Sequence, residues 1–210
     1  MLVAGDDAQP VFDNAVNTFA RWLGSQGVPS SDIHRLSANP RPSDPTLEPA
    51  SATHILARIA ALEPRPGEGC LIFISSHGSR GEGVWLAYHQ DFLQPDDLSR
   101  ALSAGCRTAP TVVIVSSCYS GAFVGSTMRA PNRIILSAAR ASRPSFGCQA
   151  DRTYTVFDQC LLAALKRART WRAVRSTSLG CVRSRERQLA ALPSQPQASF
   201  GATVRDLAVR

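Results

Sequence analysis

The sequence predicts an α/β fold, three layers α/β/α around a mostly parallel central sheet. Three observations carry that expectation. Short apolar runs alternate with segments of helical period along the 210 residues. The runs at 70–75, 111–116 and 133–137 are continuously apolar rather than alternating, so both faces of their sheet are covered. Composition is 44% hydrophobic, enough for one sizeable core, and the length fits a single domain over 1–210.

The elements follow in order. Leu2 to Gly5 reads as a short buried strand. Val11, Ala15, Phe19, Trp22 and Leu23 recur at helical spacing, and Gly27 closes that helix. "DIHRLS" reads as an edge-like strand. Asn39 to Pro49 carries Pro40, Pro42, Pro45 and Pro49 and reads as a loop. Ser51 caps a helix whose apolar face is Ile55, Leu56, Ile59 and Leu62. Cys70 to Ser75 is a buried strand, Val84 to Ala87 a short extra one. Asp96 or Asp97 starts a short helix through Leu98 and Leu102. Thr111 to Ser116 and Arg133 to Ser137 are further strands. Tyr154 to Arg169 reads as a long helix with Phe157, Leu161, Leu162 and Leu165 inward. Beyond Trp171 one or two more helices are expected, broken by Pro193 and Pro196, which makes 166–210 an Arg-rich helical part. There is no internal repeat.

Net charge is +7, and of 23 basic residues Lys166 alone is lysine. The cations gather late, from Lys166, Arg167, Arg169, Arg172 and Arg175 to Arg183, Arg185 and Arg187. Without aromatic interleaving or a nucleic-acid motif this reads as a solvated helical face, and no nucleic-acid partner is expected. No apolar run reaches the roughly 18 residues of a membrane span. Met1 leads straight into "LVAG" without a signal pattern, so a soluble protein is expected, cytoplasmic, or periplasmic if a leader was lost. The six cysteines contain no C-x-x-C, which argues against zinc ribbons and thioredoxin-type sites. Cys70 and Cys160 read as small buried hydrophobes, and Cys148 and Cys181 are a possible pair in an oxidising compartment.

The chemistry concentrates in "IFISSHGSRGEG" and "VVIVSSCYSG". Each is an apolar run, a Ser-Ser pair and one reactive side chain, His77 in the first and Cys118 in the second. In a parallel sheet, ligands bind outside the carboxyl ends of the strands. If the two strands are neighbours, their axes lie about 4.8 Å apart and the imidazole and thiol converge on one crevice. That is a Cys–His arrangement for nucleophilic catalysis. Ser75, Ser76, Ser116 and Ser117 are small enough to let a substrate backbone approach. The Gly78 and Cys118 N–H groups are candidate oxyanion donors. A nearby imidazolium would lower the thiol pKa. His34, His54 and His89 are poorer partners, placed in an edge strand, a helix and a loop. Other sites fail on spacing: Val124 stands where a tyrosine-phosphatase loop needs Arg, and G-x-S-x-G and Gly-rich phosphate loops are absent. No cofactor and no metal is implied.

A strand ending in His-Gly followed by a strand ending in Cys-x-x-Gly resembles the caspase-like cysteine peptidases, and most closely the bacterial members of the legumain (asparaginyl endopeptidase) family. "LVAGDD" with a helix ending in "QGVP", "ILSAARASRPSFGC" and "PSQPQASFGA" are similar to further stretches of that family. The resemblance implies a caspase–hemoglobinase fold and peptide-bond hydrolysis through a thioester acyl-enzyme. His77 would be the general acid/base, Cys118 the nucleophile, and Gly78 and Cys118 the oxyanion donors. Peptides or proteins would be the substrates. In legumains an Asn and an Arg-His pair follow the first strand, but this chain reads "AGDDAQPVFDNA" there. Asp6, Asp7, Asp13 and Asn14 are the local polar groups, and charge at a helix N-terminus is the competing role for Asp6 and Asp7. The acid that legumains carry two residues before the nucleophile is Ser116 here. A later acid falls at Asp158 or Gln159, and Ser145 is the pocket-wall candidate. The substrate-pocket candidates are therefore Asp13, Asn14, Ser116, Ser145 and Asp158, and the departures remove the basis for asparagine preference. Transfer of the acyl group to an amine, a catalytically silent interaction module, and a basic nucleic-acid binder are the competing functions.

Overall fold

The computed structural model describes residues 1–40, 44–149 and 151–209. Its frame is a seven-stranded sheet in the order β10 (Gln197–Phe200), β9 (Arg133–Ser137), β8 (Thr111–Ser116), β4 (Cys70–Ser75), β1 (Leu2–Ala4), β2 (Arg35–Ser37) and β3 (Leu47–Pro49). In chain order the strands and helices are β1 (Leu2–Ala4), α1 (Val11–Ser25), β2 (Arg35–Ser37), β3 (Leu47–Pro49), α2 (Ala52–Ala60) and β4 (Cys70–Ser75). A small antiparallel sheet follows, β5 (Gly78–Ser79), β6 (Gly83–Leu86) and β7 (Asp91–Leu93). Then come α3 (Pro95–Gly105), β8 (Thr111–Ser116), β9 (Arg133–Ser137), α4 (Val156–Leu165), α5 (Trp171–Gln188) and β10 (Gln197–Phe200).

The three layers are visible in which side chains share a core. Alternate residues of each central strand leave opposite faces. Leu2, Phe73, Ile114 and Leu136 join Phe12, Phe19, Phe157, Leu161, Trp171 and Val174, so α1, α4 and α5 cover one face. Val3, Ile72, Ile74, Val113, Val115 and Ile135 join Ile55, Ile59, Leu98 and Leu102, so α2 and α3 cover the other. This double burial is why the central runs are continuously apolar. Ser51 caps α2 by accepting from the His54 N–H at 3.2 Å, as its position suggests.

Several expectations change. The proline-rich stretch does not stay a loop up to Pro49. It ends in β3, which pairs in parallel with β2 and is the true edge. Pro49 is tolerated there because nothing needs its missing N–H on the open side. Pro42 of that stretch lies outside the described residues. Of the one or two helices expected from Trp171 on, one forms, α5, and no further α-helix follows among the described residues. The buried Glu186 carboxylate accepts from the Ser194 N–H at 2.7 Å and from its hydroxyl, and Ser194 C=O accepts from the Arg140 N–H at 2.8 Å. That tie returns the chain to the sheet, where β10 pairs antiparallel with β9. α4 stops at Leu165, short of Arg169.

The cysteines pair differently as well. Cys70 is bonded to Cys106, and Cys160 to Cys181. Cys160 and Cys181 meet because α4 and α5 pack against each other. Cys148 lies in the loop after β9 and is free, so the Cys148–Cys181 pairing does not occur.

Candidate active site

β4 and β8 are neighbours and run parallel, with Ser75 opposite Ser116. The ladder continues one step, the Ser76 N–H donating to the Ser116 C=O at 3.1 Å. His77 and Cys118 each stand two residues past those paired serines, so they leave the sheet side by side. They line one small cleft with Phe12, Ser116, Ser145 and Cys148.

Each side chain is held from a different element. Phe12, in the first turn of α1 and 1% exposed, meets the His77 ring edge-on at 5.1 Å between centroids. The His77 C=O accepts from the Trp85 N–H at 3.1 Å, which ties it to β6. Tyr119, directly after the nucleophile candidate, takes a left-handed conformation at φ 57°. A non-glycine residue there is uncommon and turns the chain sharply away from the strand. Its N–H donates to Arg143 C=O at 2.9 Å, which fixes the turn.

The sulfur of Cys118 accepts from the Ser145 N–H at 3.2 Å and lies 3.5 Å from the Ser145 C=O, to which the thiol donates. Burial pushes its pKa above the ordinary thiol value. The Ser145 N–H opposes that shift, Cys148 adds to it, and the cysteine's own amide opposes it. His77 is not among the groups that shift it. The expectation of a depressed thiol pKa therefore does not hold for the resting site, where desolvation dominates.

Beneath the cleft lies Asp158, fully buried in the first turn of α4. Thr155 caps that helix, accepting from the Asp158 N–H at 3.1 Å, and so places Asp158 under the ends of β4 and β8. The Ser75 hydroxyl donates to its Oδ2 at 2.6 Å, while Oδ1 has no hydrogen-bond partner. Burial raises the carboxyl pKa to about 6, against the opposing hydroxyls of Ser75, Ser116 and Thr155.

The glycines have a different use from the one their position suggests. A Cβ on Gly78 would stand 2.3 Å from the Cys118 C=O, and one on Gly121 would stand 2.3 Å from the Ala141 N. They let the protein's own loops close on each other. The serines are likewise engaged: Ser76 donates to Trp85 C=O at 2.6 Å, and Ser117 to Cys118 C=O at 3.1 Å.

Of the pocket candidates, Ser116 and Ser145 line the cleft and Asp158 lies below without reaching it. Asp13 and Asn14 follow Phe12 in α1 and do not line it; Asn14 Nδ2 donates to Thr153 C=O at 3.2 Å instead. Asp6 is buried and accepts from the Ala8 N–H at 2.8 Å within its own loop. Phe12, Phe146, Cys148 and Thr155 were not singled out from the sequence as cleft residues. Thr155 had a signal, a Thr three residues before an acid at a helix start. Among the described residues no cluster of three or more His, Cys, Asp or Glu is placed to hold a metal, and no helix is long and apolar enough to cross a membrane.

A mostly parallel sheet covered by helices on both faces, with His and Cys at adjacent strand ends, is the caspase-like arrangement. Among solved structures, Caspase-1 from Spodoptera frugiperda matches with a TM-score of 0.63 over 93% of this chain and 80% of that one, at 15% identity. The likeness is one of fold. The model of the Peptidase C13 family matches residues 51–179. The chain belongs to that family, and the legumain-type resemblance of the strand ends is borne out. "LVAGDD" and "PSQPQASFGA" lie outside the matched residues. No curated protein matches the chain significantly.

Proposed function

We propose that the protein is a cysteine endopeptidase in which Cys118 is the nucleophile and His77 the general acid/base. The observation that carries this reading is the register of β4 and β8, which sets the two side chains side by side on one cleft. Membership of a peptidase family supports the same chemistry.

The raised thiol pKa shapes the mechanism. The resting sulfur is a thiol, so His77 takes its proton as the substrate arrives rather than before. Sγ then attacks the scissile carbonyl carbon. The oxyanion is received by the N–H groups of Cys118 and Gly78. His77 returns the proton to the leaving amine and a thioester remains. Water, deprotonated by His77, attacks the thioester and frees the acid and the thiol. Ser116, Ser145 and Phe146 line the same cleft, Ser145 directly on the sulfur, and would contact the substrate side chain.

The test is covalent labelling with peptidyl acyloxymethyl ketones, run beside a fluorogenic peptide library varied at P1. Wild type should label and turn over. Cys118→Ala should lose labelling entirely and turnover by at least about a thousandfold, with an unchanged circular-dichroism spectrum. Equal labelling of the variant would overturn the nucleophile assignment.

A further inference from the structure

Four of the six cysteines are committed to two disulfides. The two left free are Cys118 and Cys148, and both line the same cleft. Their loops are already joined there. Ser145, three residues before Cys148, holds the Cys118 sulfur through both its N–H and its C=O. The Phe146 C=O in turn accepts from the Val156 N–H at 3.0 Å, which pins the Cys148 loop to the start of α4. Cys148 also acts electrostatically on Cys118. Two partly exposed thiols lining one cleft are a poised pair, unlike the four cysteines that are already bonded.

We propose that Cys118 and Cys148 form a reversible disulfide with each other, so that Cys148 is a resolving thiol and the site works only when reduced. The consequence for turnover rests on Cys118 being the nucleophile. The chemistry needs a low-molecular-weight disulfide as oxidant. One cleft thiolate attacks a sulfur of that disulfide, forming a mixed disulfide and expelling one small thiolate. The second cleft thiolate attacks the protein sulfur and expels the other. The pair loses two protons and two electrons, and the small disulfide becomes two thiols. Two equivalents of small thiol reverse it. Closing the bond draws the Cys118 sulfur off the Ser145 N–H and leaves no thiol for acylation. Cys70 and Cys106 are both buried, at 7% and 1% exposure, whereas Cys181 is partly exposed beside the buried Cys160, so the peptide map follows the Cys160–Cys181 bond as well as the cleft pair.

The test uses the full chain. It is first treated with mild reductant, then equilibrated at graded ratios of glutathione to glutathione disulfide and trapped with N-ethylmaleimide. Cys118 and Cys148 fall on different tryptic fragments, 108–129 and 141–152, so a non-reducing map reads the bond directly. The expected result is a linked pair of those fragments and loss of both alkylatable thiols. Probe labelling should fall at least tenfold and return on reduction. Cys148→Ser should instead trap Cys118 as a glutathione adduct under the same oxidant. A glutathione adduct on wild-type Cys118, a fragment joining Cys148 to any other cysteine, or two thiols that stay alkylatable would overturn the proposal. The bond is read by mass, without turnover. A linked fragment in a protein whose reduced form neither labels nor hydrolyses would uphold the thiol pair and sink the peptidase reading. An active protein without the link would do the reverse.

Discussion

Replacing Asp158 by Asn should make the protein more stable at neutral and alkaline pH and leave it nearly unchanged near pH 4. The carboxyl is fully buried and its pKa is raised from 3.8 to about 6 by that burial. Below the unfolded value both states carry the proton, and burial adds no ionisation cost. As pH rises toward 6, the unfolded chain releases its proton while the folded one keeps it, so stability falls with rising pH. Above 6 the folded state holds a desolvated carboxylate at a constant cost. The interval from 3.8 to about 6, at 1.36 kcal/mol per pH unit, makes that cost about 3 kcal/mol. Asn has the shape of the neutral acid. Its Oδ1 can accept from Ser75 in place of the Asp158 Oδ2, and its NH₂ fills the position of the partnerless Oδ1. Allowing about 1 kcal/mol for a less favourable hydrogen bond leaves a net gain of about 2 kcal/mol at pH 8. Urea unfolding of both proteins from pH 4 to 8, with the disulfides intact, reads this as diverging midpoints. In a thermal scan the gap at pH 8 is about 4–8 °C. Parallel pH profiles for the two proteins, or an Asn variant less stable than wild type at pH 8, would refute the buried-acid argument.

Two further outcomes follow from the site. Because burial raises the Cys118 thiol above its ordinary value of 9.0, thiolate at pH 7 is below about one part in a hundred, and the rate of alkylation by iodoacetamide should keep climbing past pH 9; a plateau already reached below pH 7 would mean a preformed thiolate–imidazolium pair. Gly78→Ala should lower stability by about 1–3 kcal/mol, or about 2–12 °C in Tm, and reduce turnover, since its Cβ meets the Cys118 C=O. Gly24→Ala, with open space around it, is the control and should be neutral or slightly stabilising.

The central strands and the side-by-side placement of His77 and Cys118 were legible because a strand buried on both faces must be continuously apolar, and parallel neighbours end together. The edges were not. β3 is three residues long beside prolines, and only its ladder to β2 defines it. β10 reads "QASF", too short and mixed to show a period. It reaches β9 because the Glu186 carboxylate on α5 catches Ser194 on the way back to the sheet, a contact made in space that no local pattern encodes. Disulfide partners were hidden for the same reason, since the packing of α4 on α5, and of the end of α3 beside the start of β4, chooses them rather than spacing. The direction of the thiol shift depends on burial outweighing a hydrogen bond, which no motif encodes.

The likeness of "SSHG" to "SSCYSG" has a structural cause that does not involve the substrate. Strands buried on both faces end in backbone groups and turns that still need partners, in a space too tight for large side chains. Serine fits both demands. Ser75 donates to Asp158, Ser76 to Trp85 C=O, Ser117 to Cys118 C=O and Ser120 to Ser117 C=O. With those hydroxyls spent inward and the glycines packed against neighbouring backbone, the small residues around His77 and Cys118 hold two loops in close contact. The reactive groups then inherit their spacing from the sheet register rather than from a hydrogen bond between them. The mechanism proposed above therefore needs no ion pair at rest, in keeping with a Cys118 thiol whose pKa burial raises.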